Sequence, residues 1–301
     1  MRWYTLEMEV LPLGSGVWAF PGGVNLGAIS AEGEVVLIDA GLDDGPARKV
    51  WRWAEEEGLR PRAAILTHAH ADHFGGAHLW ASRGLPLYAS ELEGMMMEHP
   101  FCEPFFLFSG AAPLSKLLEK FTMAKPCPIA GALTPGPKGF GPVAVEVVDL
   151  PGHAPAQIGV KAGPVLFCAD ALFPEDILRK HPIPFCHDLS QALASLKAVE
   201  EAEVVIPGHG PILKGPDVAK ACAAFREHLE RIRMIVFEGI TTPKSAEEIL
   251  AEIANILGAS FTTVTEFLLA RTTILATLSS LVRESLAEAV VEGNQLLWRR
   301  R

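Results

Sequence analysis

The stretch THAHADHFGG, residues 67–76, places three imidazoles and one carboxylate within six positions. The apolar run AAIL at residues 63–66 precedes it, is bounded by Pro61 and is too short for a helix, so it predicts a buried strand. The two glycines then open a helical stretch at residues 77–82. Side chains alternate along an extended backbone, which puts His68 and His70 on the same side of this strand-to-helix turn. Imidazole and carboxylate are ligands of zinc, iron and manganese, so the stretch predicts a metal site.

Four other short motifs place an aspartate or a histidine directly after a strand-like segment. They are Asp39 in VVLIDAG (35–41), His153 in PGH (151–153), Asp170 in FCADALF (167–173) and His209 in IPGHG (206–210). Short apolar runs bounded by turn residues predict strands. Because each polar residue follows such a strand, we expect these side chains to meet at one edge of a sandwich.

Together these five motifs resemble those of the metallo-β-lactamase-fold hydrolases, and the THxHxDHxGG form resembles the glyoxalase II-like branch of that family. The motifs follow the family's order from residue 35 to residue 210. The resemblance implies an α/β (α+β) fold, a four-layer αββα sandwich. It also implies a catalytic domain at residues 1–215 and a C-terminal helical, winged-helix-like appendage at residues 216–301.

The same resemblance implies two metal sites that share one carboxylate. For the first metal the implied ligands are His68, His70 and His153. For the second metal they are Asp72, His73 and His209. Asp170 is the implied ligand of both metals. Zinc is the expected divalent metal, with iron or manganese as alternatives. Two such cations ~3.5–4 Å apart lower the pKa of a shared water. A bridging hydroxide is therefore the expected nucleophile, with Asp72 and Asp170 as the catalytic carboxylates.

The expected activity is metal-dependent hydrolysis of an ester, thioester, lactone or similar small substrate. The alternatives are a mononuclear iron dioxygenase acting on sulfur compounds and a phosphodiesterase of the same fold. Oxygen-reducing diiron relatives have an acidic ligand where this chain has His70, which argues against that branch. No basic cluster near the motifs resembles a glutathione-binding set, so hydrolysis of glutathione thioesters is not favoured.

Three further features of the sequence concern the surroundings of the site. Asp39 is expected to accept a hydrogen bond from a metal-binding side chain, with a helix cap or turn as its alternative role. His181 and Phe173 lie in or beside the loop that follows Asp170 and are candidates for substrate contact. Residues 99–142 are rich in phenylalanine and proline and form a predicted insertion with one helix at residues 113–123. The insertion is interpreted either as an apolar lid over the site or as a dimer contact or core packing.

Composition indicates which partners and which compartment to expect. The formal net charge of −10 argues against non-specific binding to nucleic acid. The five cysteines are scattered without a CxxC pair, which favours a reducing cytoplasm. The first residues carry charges where a signal peptide needs apolar residues, and no long uncharged apolar window suggests a membrane span. We therefore expect a cytoplasmic enzyme that acts on a small-molecule substrate. A second copy of the chain, in a homodimer, is its candidate protein partner.

The outer parts of the chain have a simpler pattern. The opening predicts strands at residues 6–11, 17–20, 25–30 and 34–39, followed by a helix at residues 46–57. The C-terminal part predicts helices to Glu238, from Ser245, at 263–270 and at 274–288, then a hairpin at 289–298. Ser245 and Glu248 have capping-box spacing. This order resembles a winged-helix module, but residues 241–301 carry six basic and seven acidic side chains, which favours a packing role over DNA binding.

Overall fold

The structure is a computed structural model, and it describes residues 8–301. Part of the predicted strand at residues 6–11, and the charged start of the chain, lie outside the described residues. Within them, two sheets and their covering helices form the region that holds every candidate ligand.

The first sheet has seven strands in sequential order. They are β1 Leu11–Gly14, β2 Val17–Phe20, β3 Leu26–Ala31, β4 Glu34–Ile38, β5 Arg60–Ile65, β6 Leu87–Ala89 and β7 Gly131–Ala132. Strands β1 to β4 pair antiparallel and β4 to β7 pair parallel. The three predicted strands at residues 17–39 are thereby confirmed.

The second sheet has six strands in the order β13-β12-β11-β10-β9-β8. They are β8 Gly136–Phe140, β9 Val143–Asp149, β10 Ile158–Ala162, β11 Val165–Ala169, β12 Val204–Pro207 and β13 Leu213–Lys214. Only the β11–β12 pair is parallel. Parallel pairing requires a crossover, which here runs through helices on the outer face.

Helices cover both sheets and form the C-terminal part of the chain. They are α1 Asp44–Glu56, α2 Ala71–Phe74, α3 Ala77–Ser82, α4 Glu91–Glu98, α5 Cys102–Leu107, α6 Glu175–Lys180, α7 Leu189–Glu200, α8 Pro216–Gly239, α9 Ala246–Leu257 and α10 Val264–Arg283. A hairpin of β14 Ala287–Glu292 and β15 Gln295–Arg300 follows, which confirms the predicted hairpin.

Three buried clusters define four layers. In the first, Trp53 of α1 and Trp80 of α3 pack on the outer face of the first sheet. In the second, alternate residues of the two sheets meet, for example Ile65 and Phe167. In the third, α7 and α8 cover the second sheet around Leu196. The order helix, sheet, sheet, helix confirms the predicted αββα sandwich.

The predicted helix at residues 113–123 is wrong. One turn of 3-10 helix, Ser115–Leu117, lies there instead, and the helix of the insertion is α5. The hydroxyl of buried Thr122 donates to the carbonyl oxygen of Leu117 at 2.6 Å and so occupies a backbone acceptor that a helix would use. The predicted insertion at residues 99–142 is also too long, because β7 and β8 belong to the two sheets.

The C-terminal part has its own buried cluster, which includes Ile232, Ile249 and Leu278. The two helices predicted at 263–270 and 274–288 are one helix, α10, because no glycine or proline interrupts the pattern between them. Ser245 and Glu248 form the predicted capping box. The winged-helix identity and the boundary at residue 215 stay predictions, since α8 contributes to two clusters.

Helix α10 is also long and apolar enough, by composition alone, to cross a membrane, with a mean hydropathy of 1.2. Core helices of water-soluble proteins can have the same length and apolar composition. In α10 the side chains of Ile274, Leu278 and Leu281 are fully buried in the C-terminal cluster, and 44% of the apolar stretch is buried inside the protein.

Candidate metal centre

The histidine motif sits on a tight turn between β5 and α3. His70 has extended backbone angles and begins the single turn α2. Gly75 and Gly76 are required by close packing, because a β-carbon on either one would overlap carbonyl oxygens of the loop after β4, including those of Leu42 and Ala40. The turn therefore brings the side chains of His68, His70, Asp72 and His73 to the same edge of the sandwich, where they enter two neighbouring groups.

The structure brings His68, His70 and His153 together. Nε2 of His68 lies 3.1 Å from Nδ1 of His70, and Nε2 of His153 lies 2.8 Å from the same Nδ1. The three rings are nearly perpendicular to one another, with interplanar angles of 80–86°. Three ring nitrogens therefore converge from three directions, as ligands around one cation do.

A second group consists of Asp72, His73 and His209, whose ligand atoms also lie close together. Nε2 of His209 lies 3.2 Å from Oδ2 of Asp72. Asn25 fixes the loop of His209, because its side chain donates to the carbonyl oxygens of Pro207 and Gly210, each at 2.8 Å. This role of Asn25 was missed in the sequence, where nothing connects residues 25 and 207.

Asp170 lies between the two groups. Its Oδ1 is 3.3 Å from Nε2 of His73, and its Oδ2 is 3.4 Å from Nε2 of His153 and 3.5 Å from Nε2 of His209. Gly208 makes room for this carboxylate, since a β-carbon there would overlap Oδ1. One carboxylate thus faces histidines of both groups.

The chemistry of these donors fits divalent cations. Nε2 of His73 and Oδ1 of Asp170 are buried, and neither completes a hydrogen bond with any of residues 8–301. Unsatisfied buried polar atoms are costly and rare, so the presence of two such atoms next to each other needs an explanation. A cation between them would satisfy both, and imidazole with carboxylate is a donor set that zinc accepts.

Most of the candidate ligands have a hydrogen-bond partner on the ring nitrogen that faces away from the centre. The pairs are His68 Nδ1 with Thr67 Oγ1 at 3.1 Å, His73 Nδ1 with Asp39 Oδ2 at 2.8 Å, His153 Nδ1 with Phe185 O at 3.1 Å and His209 Nδ1 with Gly23 O at 2.8 Å. Such partners fix the tautomer and the orientation of a metal-binding imidazole.

Asp39 is buried and has a left-handed backbone, with φ of +54°. Besides His73, it accepts from the amide and the hydroxyl of Thr67, each at 2.8 Å. It therefore connects the end of β4 to the start of the histidine motif. The cap of α1 is Asp43, so the alternative of a helix cap does not apply to Asp39.

The pKa values divide the candidate ligands into two sets. Burial lowers the pKa of His68 and His153, and lowers that of His70 to about 3, so these rings are neutral at neutral pH. Burial also opposes the charged form of His73 and His209. There the neighbouring carboxylates, Asp170 with Asp39 for His73 and Asp170 with Asp72 for His209, together outweigh burial and raise both pKa values, that of His209 to about 10. The first group thus offers neutral nitrogens, whereas the second holds protons that a cation must displace.

A cavity of about 670 Å³ opens over this centre. Three parts of the chain wall it, namely the insertion, the segment after Asp170 and the C-terminal region. The lining residues include Phe121, Thr122, Phe173, His181, Phe185, Gly258, Phe261 and Leu269. His181 and Phe173, the predicted substrate-contacting residues, both lie in this wall, and the Phe173 ring packs 5.5 Å from the ring of His153.

Glu93 is a site residue that the sequence analysis missed. Ser90 is the N-cap residue of α4, but its hydroxyl makes no capping bond. Glu93, three positions on, would complete a capping box. Instead its buried carboxylate accepts from the amides of Ala69 at 2.9 Å and Ala156 at 2.8 Å, which ties together two loops that carry candidate ligands. Burial raises its pKa, although these bonds oppose the shift.

Sequence comparison agrees with this geometry. Residues 19–209, more than half of the 301-residue chain, match the profile of the metallo-beta-lactamase superfamily. The chain belongs to that superfamily, as the motifs and the sandwich indicate.

Individual relatives share the same part of the chain at low identity. The probable metallo-hydrolase YqgX of Bacillus subtilis is 26% identical over 190 residues, which are 60% of this chain and 82% of that protein. The hydroxyacylglutathione hydrolase of Albidiferax ferrireducens is 26% identical over 64% of this chain and 59% of its own length. The match thus spans less than two thirds of that relative. The superfamily and these names support an enzyme of the hydrolase class.

A similar solved structure extends over the C-terminal region as well. A metallo-beta-lactamase family protein from Thermus thermophilus superposes with a TM-score of 0.72 at 22% identity, and covers 96% of this chain and 100% of its own. At this identity the likeness concerns the fold alone. Because the superposition covers 96% of this chain, it extends beyond the sandwich into the C-terminal region of this chain.

Proposed function

We propose that this protein is a dinuclear metal-dependent hydrolase of an ester, thioester, lactone or similar small substrate. The position of Asp170 carries the proposal. Its two oxygens face His73 on one side and His153 and His209 on the other, at 3.3–3.5 Å. A carboxylate in that position suits a bridge between two cations.

In the proposed enzyme, His68, His70 and His153 hold one cation, Asp72, His73 and His209 the other, and Asp170 both. When bound, two divalent cations polarise the scissile carbonyl and lower the pKa of a water between them. The side chain of Asp72 is 33% exposed and lines the cavity, where it would also accept a hydrogen bond from a metal-bound water. Burial opposes its ionisation, but the His209 hydrogen bond and the charges of His73 and His209 together outweigh burial and lower the pKa of Asp72 to about 2, so it is ionised at neutral pH.

The cavity supports a substrate with an apolar part. Its volume of about 670 Å³ suits a small molecule. The rings of Phe121, Phe185 and Phe261 line it, as do the exposed side chains of Arg179, which also pairs with Glu175, and Lys180. We therefore propose that an apolar acyl group packs on these rings and that a negatively charged group faces the two basic side chains. His181 and Phe173 complete the proposed contact surface.

Metal analysis followed by a substrate panel tests this function. We expect purified protein to hold about two zinc ions per chain and to hydrolyse at least one ester, thioester or lactone. Asp170→Asn should lose this activity, which identifies the site. One iron per chain, with oxygen consumption in the presence of a sulfur compound, would instead support the dioxygenase. Hydrolysis of phosphodiesters alone would support the phosphodiesterase.

A further inference from the structure

We infer that Glu103, on the insertion helix α5, positions His70 by accepting a hydrogen bond from its Nε2. The inference rests on the proposed function, in which His70 holds the first metal, and on the geometry, in which the opposite nitrogen, Nδ1, faces His68 and His153. It gives the insertion a role in the metal centre, in addition to a role in covering the cavity.

The hydrogen-bond partners of the other four candidate histidine ligands point to Glu103. His68, His73, His153 and His209 each have an oxygen within 3.1 Å of the nitrogen that faces away from the centre. His70 is the exception, because within residues 8–301 its Nε2 makes no hydrogen bond. A metal-binding imidazole nearly always donates from its second nitrogen, so an acceptor for this N–H is to be expected.

Glu103 is placed to be that acceptor. Its Oε2 lies 3.8 Å from Nε2 of His70, and the two side chains are 19% and 18% exposed. This separation is longer than a hydrogen bond, and a side-chain rotation that shortens it by about 1 Å closes the bond. The carboxyl of Glu103 makes no hydrogen bond with any other residue of the described chain, whereas the neighbouring Glu93 is satisfied by two backbone amides.

The rest of the insertion supports a specific role for this carboxyl. Among residues 99–142 the acidic side chains are Glu103 and Glu119, and Glu119 is exposed. Pro104 and Leu107 on the same helix are buried, which anchors α5 and fixes the direction of Glu103. A largely buried carboxyl without a partner is costly unless it serves a bound group or a ligand.

Metal affinities of matched variants test the inference. Glu103→Leu removes the acceptor at similar size, Glu103→Gln keeps one oxygen, and Glu119→Leu is the control on the exposed side of the insertion. Zinc dissociation constants for both sites are measured by competition with a chromophoric chelator. We expect Glu103→Leu to weaken the first site about 10–100-fold, Glu103→Gln to weaken it less, and Glu119→Leu to leave it unchanged.

The outcomes separate this inference from the proposed function. If wild type binds two zinc ions and Glu103→Leu binds both with wild-type constants, the inference is wrong. Equal weakening of both sites, with a lowered melting temperature of the metal-free variant, would also overturn it, since that result indicates a structural role. If wild type binds one zinc ion, the two-metal function fails, and the same comparison then applies to that ion. Cobalt substitution provides an independent readout, because the absorption of the His70-containing site should shift in Glu103→Leu and not in Glu119→Leu.

Discussion

The hydroxyl of Thr273 on α10 donates to the carbonyl oxygen of Pro184 at 2.8 Å. The same hydroxyl accepts from the amide of Cys186 at 3.1 Å, so it holds both sides of Phe185. The carbonyl oxygen of Phe185 in turn lies 3.1 Å from Nδ1 of His153. The C-terminal region is therefore connected to a candidate ligand through one peptide.

Thr273→Val tests this connection, with Thr277→Val as a matched control. Both hydroxyls are buried on α10, but that of Thr277 donates to a carbonyl within its own helix. We expect Thr273→Val to lower the free energy of unfolding by about 1–3 kcal/mol, because it leaves the amide of Cys186 unsatisfied. It should also weaken zinc at the first site, whereas Thr277→Val should not. Urea unfolding and chelator competition measure the two effects, and equal effects of the two variants would contradict the connection.

Asp170→Asn should reduce bound zinc from about two per chain to about one or fewer. The amide keeps the size of the side chain but removes the charge that faces both groups of histidines. Elemental analysis after gel filtration gives the stoichiometry. Asp217→Asn, on the exposed first turn of α8, is the control. Two zinc ions held at wild-type affinity by Asp170→Asn would exclude the bridging role.

Zinc binding should release protons at one site and not at the other. At pH 7 the metal-free protein has neutral His68, His70 and His153, whose pKa values are lowered, but charged His73 and His209, whose pKa values are raised. Filling the second site should therefore release about two protons, and its affinity should fall as pH is lowered because protons compete. Calorimetry in buffers of different ionisation enthalpy counts the protons. Equal proton release on zinc binding at the two sites would show that the histidines of the two groups do not differ in charge in the metal-free protein.

Substitutions of two phenylalanines distinguish the two interpretations of the insertion, as a lid over the cavity or as a subunit interface. Phe121 lines the cavity and is 63% exposed, whereas Phe106 on α5 is 58% exposed and does not line it. If the insertion covers substrate, Phe121→Ala should raise KM about tenfold with the metals retained, and Phe106→Ala should not. Steady-state kinetics and sedimentation measure both variants. Unchanged KM together with a lost dimer would assign the segment to subunit contact.

The candidate ligands could be placed from the sequence because each one follows a strand directly. The residues from His68 to His73 share a single turn, so their proximity is a local property of the chain. The other motifs end strands of one sandwich, and the strands bring Asp170 and His209 to the same edge. Local pattern and sheet topology therefore suffice for these residues.

Other site residues could not be placed because their roles depend on distant parts of the chain. Glu93 has the spacing of a capping box, and that local pattern gives no sign of the amide of Ala156 that it binds. Glu103 lies in a segment whose helix was predicted at the wrong residues, since the hydrogen bond of Thr122 determines where that segment turns. In both cases tertiary contacts override local preference.

The wall of the cavity at Gly258–Ala270 follows every candidate ligand in the chain. During synthesis His209 therefore leaves the ribosome before Gly258, and at about 5–20 residues per second the delay is roughly 2–10 s. In that interval the nascent chain contains every candidate ligand but lacks the residues that wall this side of the cavity. The candidate ligands are therefore synthesised before this part of the cavity wall, and a substrate pocket that includes Phe261 and Leu269 can form only after nearly the whole chain has been made.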